Sequence, residues 1–515
     1  MKSSKGDVMA ERSALLAVYD KTGVVDLARG LRELGFTVVS TGGTAKALRA
    51  AGVPVREVAA VTRFPEILDG RVKTLHPKIF GGILARPTAA HRRQLKAHAI
   101  APIDVVAVNL YPFRETAARR GATSSEVIED IDVGGVALLR AAAKNFERVA
   151  VLSSPAQYAE ALSRLAAGKA DEAWRRRLAA AAFAVTAAYD AAIASWFGPR
   201  RRGAFPDNLI LEYRKWLEPE YGENPHQSAA LYAGANFGLK QLAGPPPSYN
   251  NFLDLAAALA LVAEFDGPAC VVLKHNSPSG ASVAADGAEA FTRAWNADAM
   301  SAYGGIVAFN RPVDRAAAEA MMAKGTFFHI CAAPSFRRGM VEYLRTAKKW
   351  TDRLRLFAGK WRPGAWEYRA ALGGLLVQEA DSRPARRDRF RQVAGKEIPA
   401  EMMADLRFAW AVAKHARSNA IVLARDLTTL AIGAGAVNRL WPAEDAVRRA
   451  GEKANGAVAA SDGFFPKPDA LEALCSAGVR AVVQPSGSKA DDQAIATAKR
   501  YGIALLFSER RHFRH

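Results

Sequence analysis

From Leu15 onward the chain repeats a rhythm of apolar run, turn, amphipathic stretch and apolar run, which predicts βαβ units around a parallel sheet. Leu15 to Tyr19 is the first predicted strand. Asp20 or Thr22 can cap a helix in which Val24, Leu27, Leu31 and Leu34 recur at helical spacing, and Gly35 ends it. Phe36 to Ser40 is the second strand, followed at once by Thr41-Gly42-Gly43-Thr44 and a short helix to Ala51. Asp104 to Leu110 and Val149 to Leu152 are further strands, the latter after a helix around Leu138 to Lys144. Residues 156 to 197 read as almost wholly helical, and Gly198-Pro199 with the basic cluster Arg200 to Arg202 then break the pattern. A domain boundary is therefore expected near 198 to 208, giving domains 1–200 and 208–515. Beyond it, strands at Ala269 to Leu273, Gly304 to Phe309, Ala420 to Ala424, Ala481 to Gln484 and Ala504 to Phe507 alternate with helices, so the second domain is predicted to be larger, mixed α/β and two-lobed. No repeat with a period of about 20 to 50 residues is visible, which argues against a solenoid.

With 515 residues, 50% hydrophobic and 24% charged, the chain can bury a sizeable core, and disorder is excluded. The longest uncharged apolar runs, Val105 to Leu110 and Ala179 to Val185, fall short of the roughly 20 residues that cross a bilayer, so no membrane partner is expected. Met1 to Arg12 is polar and mixed in charge, without the apolar core of a secretion signal, and a cytoplasmic location is expected. Cys270, Cys331 and Cys475 lie far apart with no Cys-x-x-Cys pair, which points to buried small hydrophobes rather than to disulfides or zinc. The net charge of +20 favours anionic ligands. Nucleic acid is not expected, because no aromatics interleave the basic residues and no binding motif is present.

Thr41-Gly42-Gly43-Thr44 lies where a strand gives way to a helix, where free N–H groups and the helix dipole favour a phosphate. It matches neither the P-loop nor the dinucleotide fingerprint. Arg71 to Lys78 is a dense set of donors suited to a phosphorylated ligand. Asn109-Leu110-Tyr111-Pro112 closes a buried strand at its carboxyl end, where open α/β sheets place ligands. With Asp132 and with Lys144 and Asn145 at a helix end, these supply a Lys–Tyr–Asp–Lys constellation able to move protons and polarise a carbonyl without a metal. In the second domain Lys274-His275 follows the apolar run Val271 to Leu273 and precedes Pro278 and Gly280, on adjacent, opposite-facing positions at a strand end.

Asp20-Lys21-Thr22-Gly23, Ser40 to Thr44, Gly70-Arg71-Val72-Lys73-Thr74-Leu75-His76-Pro77, Asn109 to Phe113 and Leu139 to Asn145 resemble the amino-terminal domain of the bifunctional purine biosynthesis enzymes, which join inosine monophosphate (IMP) cyclohydrolase to phosphoribosylaminoimidazolecarboxamide (AICAR) formyltransferase. The resemblance continues through Tyr221 to Gln227, Lys274 to Pro278, Arg417 to Ala420, Gly433 to Gly435, Ser461 to Pro466, Pro485 to Ser488 and Arg511 to His515, nearly the whole chain. It implies a methylglyoxal-synthase-like parallel-sheet domain followed by two cytidine-deaminase-like lobes. It also implies formyl transfer from 10-formyltetrahydrofolate to AICAR in the second domain and dehydrative ring closure to IMP in the first, which needs no cofactor. The zinc signature of the deaminases is missing, so no catalytic metal is expected. Among the family a homodimer shares its transformylase sites between subunits.

The resemblance implies catalytic roles for Lys274, His275 and Asn419 in formyl transfer and for Lys73, Tyr111, Asp132 and Lys144 in ring closure. It implies substrate contacts from Lys21, Thr41, Gly42, Gly43, Arg71, Thr74 and Asn109 in the first domain, and from Tyr221, Arg439, Phe464, Phe465, Pro466 and Arg511 in the second. Formyl transfer calls for a histidine as proton acceptor and a cation for the oxyanion, parts that the resemblance gives to His275 and Lys274. Four positions depart from the family's usual residues: Glu220 for Arg, His329 for an acid, Tyr19 for Ser and Phe146 for His. They motivate an alternative, a degenerate relative that has lost one activity and binds purine nucleotides or folate.

Overall fold

The computed structural model describes residues 12–198, 203–234 and 237–515. The chain divides into two compact units, Met1–Glu212 and Tyr213–His515. Pro199 and the cluster Arg200 to Arg202, on which the boundary was expected, lie outside the described residues.

The first unit is built on five parallel strands, β1 (Ser13–Val18), β2 (Thr37–Ser40), β3 (Arg56–Glu57), β4 (Ile103–Asn109) and β5 (Ala150–Leu152), in the order β3-β2-β1-β4-β5. The strands β1, β4 and β5 are almost fully buried, as a parallel sheet covered on both faces requires. β3 has only two residues, both exposed, so no apolar run announces it. The helix Val24–Glu33 buries Val24, Leu27, Ala28 and Leu31, yet neither Asp20 nor Thr22 caps it. Gly23, at φ +66°, occupies that position, and the Asp20 carboxylate accepts instead from the Thr22 N–H at 2.9 Å and from its hydroxyl. The predicted helical stretch is two helices, Tyr158–Ala166 and Glu172–Phe197. Among the described residues Glu172–Phe197 is the helix long and apolar enough to cross a membrane. It buries Trp174, Leu178 and Ala182 in the core of this unit.

The second unit carries one mixed sheet of twelve strands, with a shared strand order in its two halves. Two-stranded ribbons of β6 (Arg214–Leu217) with β7 (Leu231–Ala233) and of β14 (Trp366–Ala371) with β15 (Gly374–Glu379) stand outside it. The first half comprises β8 (Leu239–Ala243), β9 (Ala269–Lys274), β10 (Ser277–Val283), β11 (Gly305–Phe309), β12 (Phe328–Ala333) and β13 (Arg355–Gly359). The second comprises β16 (Phe390–Ala394), β17 (Ile421–Arg425), β18 (Thr428–Gly433), β19 (Val458–Ser461), β20 (Ala481–Pro485) and β21 (Ala504–Ser508). Read outward from the junction of β10 with β18, one half runs β10-β9-β11-β12-β13-β8 and the other β18-β17-β19-β20-β21-β16. The senses of pairing also agree, antiparallel for the first two pairings outward from the junction and for the last, and parallel for the two between.

Details repeat at one constant interval along the chain. Gln241 and Gln392 each donate to three successive carbonyls, the last of their own strand and the two that follow it. Asp254 accepts from the N–H groups of His275 and Asn276, and Asp405 from those of Asp426 and Leu427. The repeat is far longer than the short periods that identify solenoids. The three cysteines are free and buried, as expected; burial pushes the Cys475 thiol up to about 12.

Candidate active sites

A cavity of about 570 Å³ opens in the first unit at the carboxyl ends of β1, β2 and β4. The strand order turns about β1, so this is the switch point at which an open α/β sheet leaves a crevice. Lys21, Thr41, Gly43, Arg71, Lys73, Thr74, Asn109, Tyr111 and Asp132 all line it. Sequence positions far apart are brought together because they lie at strand ends, at helix starts and in the turn of Arg71 to Thr74.

The helix Gly42–Ala50 begins here without a side-chain cap, which leaves its first N–H groups without intrahelical partners. Gly42 has φ +53°, and a Cβ on it would stand 3.8 Å from the Lys73 ammonium. The Lys21 ammonium donates to the carbonyls of Val18 and Tyr19. Burial lowers its pKa against the pull of Asp20, and Lys73 lowers it further. Two ammonium groups beside an uncapped helix start form an anion site by charge and by donor geometry.

Asp132 supplies the opposite chemistry. Burial raises its pKa, while N–H donation from Gly135 at 2.6 Å and from Tyr111, and the charge of Lys73, act the other way. A Cβ on Gly135 would lie 2.5 Å from an Asp132 carboxylate oxygen and 2.9 Å from a Leu110 methyl. Gly135→Ala should therefore displace the carboxylate, lowering ring closure at least about tenfold at a stability cost of about 1–3 kcal/mol. Steady-state kinetics with a thermal melt checks both.

The expectation for Lys144 needs correction, while Asn109, Arg71 and Tyr19 stand at the cavity. Lys144 is exposed and closes the helix Gly134–Lys144, whose start forms the cavity wall. At about 1.5 Å per residue it lies roughly 15 Å along the axis, and it does not line the cavity, so the four-residue constellation reduces to Lys73, Tyr111 and Asp132. Asn109 spends its amide on the chain: it accepts from the N–H groups of Tyr19 at 2.6 Å and Asp20 at 2.8 Å, and donates to the Asp20 carbonyl at 2.9 Å. It latches the loop after β1 and shapes the cavity rather than offering free polar atoms. Arg71 lies at the rim in an ion pair with Glu129. Tyr19 packs its ring edge-on against Tyr111 at 5.7 Å, on the rim of the cavity. Sequence reasoning missed Glu66, which accepts from the Thr41 hydroxyl and flanks the Gly70 position that Lys73 also approaches.

In the second unit His275 (φ +53°) and Asn276 (φ +59°) are the two central residues of the turn between β9 and β10. Positive φ at both is the geometry of a type I′ hairpin, so this is a tight turn held from below by Asp254. Burial raises the Asp254 pKa against those two bonds. The His275 side chain is exposed. The Lys274 ammonium donates to the Tyr303 carbonyl at 2.9 Å. Lys274 and His329 flank Gly304, where a Cβ would meet them at 4.0 and 3.7 Å. Burial, Arg355 and Lys274 lower the pKa of His329. Arg355 donates to the Pro246 carbonyl at 3.2 Å, and burial lowers its pKa. Glu220 is exposed beside Tyr221.

A second cluster forms in the other half. Arg439 is buried in an ion pair with Asp462 and donates to the Asn419 side-chain oxygen at 2.6 Å, while the Asn419 amide donates to the Ala436 carbonyl at 2.8 Å. Arg511 lies over the Phe513 ring at 4.5 Å. Phe464 is half-buried and Pro466 exposed. Phe465 must be corrected, because it is fully buried in the core with its N–H on Gln484 and presents no face to a ligand. Among the described residues no hydrogen bond or ion pair joins this cluster to Lys274 and His275. None of the described His, Cys, Asp and Glu residues group as metal ligands.

Comparison with known proteins extends along the chain. Residues 23–137 match the family model described as MGS-like domain, and residues 142–449 match AICARFT/IMPCHase bienzyme. The chain is 46% identical over 523 residues to the bifunctional purine biosynthesis protein PurH of Desulfitobacterium hafniense, covering 98% of this chain and 100% of that one. It is 47% identical over 518 residues to the protein of that name from Deinococcus radiodurans, at 98% and 100% coverage. With the one from Chloroflexus aurantiacus it shares 47% over 511 residues, at 98% of each. With an MGS-like first domain and full-length likeness to these relatives, the chain belongs to the AICARFT/IMPCHase bienzyme family.

Proposed function

We propose that the cavity of the first unit is where the purine ring closes, and that the Lys274-His275 turn of the second unit carries the formyl transfer. The chain is a formyltransferase and cyclohydrolase of purine biosynthesis, with 10-formyltetrahydrofolate as formyl donor to AICAR. The observation that supports the ring-closing assignment is the convergence of Lys73, Tyr111 and Asp132 on the uncapped Gly42 helix start. The substrate phosphate sits at Gly42, Gly43 and Lys21. The carboxamide nitrogen attacks the formyl carbon and passes a proton by way of Asp132 to the oxygen, which becomes a hydroxyl; that hydroxyl leaves as water with a proton from Lys73, and the formamide nitrogen returns its own proton to Lys73 as the C=N bond forms. Tyr111 orients the reacting face.

In formyl transfer the AICAR amine attacks the formyl carbon, His275 accepts the amine proton, Lys274 faces the oxyanion, and the folate nitrogen leaves with a proton. Asn419, Arg439, Phe464, Pro466 and Arg511 belong to the same site on this reading. Since they lie in the other half of the sheet from His275, we place the complete site across a homodimer, with the protein in the cytoplasm.

Two outcomes test the assignment of units. A fragment ending at Glu212 contains its own core and should cyclise formylated AICAR; an inert but folded fragment places ring closure elsewhere. The pKa of Asp132 is raised, so its ionised form is lost as pH falls through a value above the ordinary Asp range. The acidic limb of ring closure should therefore lie above that range, about 3.9, and Asp132→Asn should remove the limb along with most activity. A pH–rate profile of both proteins decides.

A further inference from the structure

The chain leaves β21 as an irregular strap, Glu509–His515, that returns over the Asn419–Arg439 cluster. Its side chains alternate in burial: Arg511 and Phe513 are exposed, whereas His512 between them is buried. The ring of His512 bonds two carboxylates, Nδ1 to Asp381 at 2.5 Å and Nε2 to Asp388 at 2.7 Å. An ionised carboxylate offers only acceptors, so both ring nitrogens must carry hydrogen. The imidazole is thus an imidazolium tied at both ends. Trp410 closes the third side, edge-on at 5.3 Å, and its indole N–H donates to Asp388 at 3.0 Å. The His512 N–H donates to the Asp462 carbonyl at 3.3 Å, next to the Asp462–Arg439 pair.

The rest of the strap is held by backbone and by arginines, among them Arg514 and Arg369, which donates to the His515 carbonyl at 2.8 Å. The Ser418 N–H donates to the Arg514 carbonyl at 2.9 Å, and the Arg514 guanidinium to the His415 carbonyl at 3.2 Å. Phe513 rests on Gly463, where a Cβ would strike its ring, and on the Arg439 guanidinium at 5.9 Å. His512, between the exposed Arg511 and Phe513, is the side chain of the strap that is buried between two carboxylates.

We propose that His512 is a positioning residue for formyl transfer: clamped between Asp381 and Asp388, it fixes the strap so that Arg511 and Phe513 stand at the Asn419–Arg439 cluster. The proposal rests on the reading that this cluster belongs to the formyltransferase site. Burial pushes the His512 pKa down, but the two carboxylates outweigh it and hold the group above the usual histidine range. The other charges around the clamp are Lys414, 3.6 Å from Asp381 and 3.0 Å from Glu264, His415 on the same Glu264, and Arg383 and Arg510 about the far oxygen of Asp388 at 4.0 and 3.9 Å. A raised histidine pKa makes the clamp fully present at low pH and loosens it as pH rises through that value. Affinity for AICAR should weaken on the alkaline side.

The test uses the full chain with AICAR and 10-formyltetrahydrofolate, measuring KM and kcat for AICAR from neutral to alkaline pH in the unaltered protein, His512→Gln and Asp381→Asn. Ring closure of formylated AICAR serves as the internal control. His512→Gln should raise the KM for AICAR about tenfold or more, with a smaller change in kcat, and abolish its alkaline rise, while ring closure stays within about twofold. Asp381→Asn, at a half-exposed carboxylate that tolerates replacement, should shift the alkaline rise to lower pH. An unchanged KM and an unchanged pH profile in His512→Gln overturn the clamp. If His512→Gln loses both activities together, Asp381→Asn decides, and an unshifted profile overturns it. Asn419→Ala separates the two readings: formyl transfer that survives it removes the cluster from the site, whereas formyl transfer that it abolishes, with His512→Gln unaffected, removes only the clamp.

Discussion

Replacing Lys73 with alanine should lower ring closure by about 10²-fold or more, roughly 2.7 kcal/mol of transition-state stabilisation, while formyl transfer stays unchanged. The size follows from what the ammonium does in the cavity. It approaches Gly42 and Gly70 and bears on the electrostatics of both Lys21 and Asp132, and in the proposed mechanism it supplies the proton for the departing water. Its loss would leave the buried Asp132 without that nearby positive charge. Kinetics with formylated AICAR, beside the formyl-transfer assay, measures both effects, and a wild-type rate of cyclisation would remove Lys73 from the reaction.

His275→Ala should abolish formyl transfer and spare ring closure. The type I′ turn places this imidazole on a backbone that favours glycine or asparagine, as the equivalent turn at Asp426 and Leu427 also does. Asp254 fixes the turn through both N–H groups, so alanine removes the proton acceptor while leaving that support in place. A His275→Ala protein that transfers formyl groups at the ordinary rate contradicts the assignment.

The first unit was legible because strands buried on both faces are written as continuous apolar runs, as in Ser13–Val18 and Ile103–Asn109. The exposed strand Arg56–Glu57 and the exposed ribbon Gly374–Glu379 carry no such run. The duplication in the second unit escaped a search for short periods, although Gln241 with Gln392 and Asp254 with Asp405 mark it as long-range pairs. At the first site the glycine turns and the Lys73, Tyr111 and Asp132 positions were readable as chemistry at strand and helix ends. Asn109 was not readable as a latch, because an amide serves a ligand or a loop with the same groups. Neither Phe465 nor Lys144 could be placed from its motif, since residues adjacent in sequence face opposite ways or part along a helix.

In the proposed assignment two chemically independent sites on two units act in succession. It is tested most directly by giving Lys73→Ala protein AICAR and 10-formyltetrahydrofolate and identifying the nucleotide product by chromatography. Formylated AICAR should accumulate with little IMP. IMP formed at the unaltered rate, or no formylated product at all, would contradict the account.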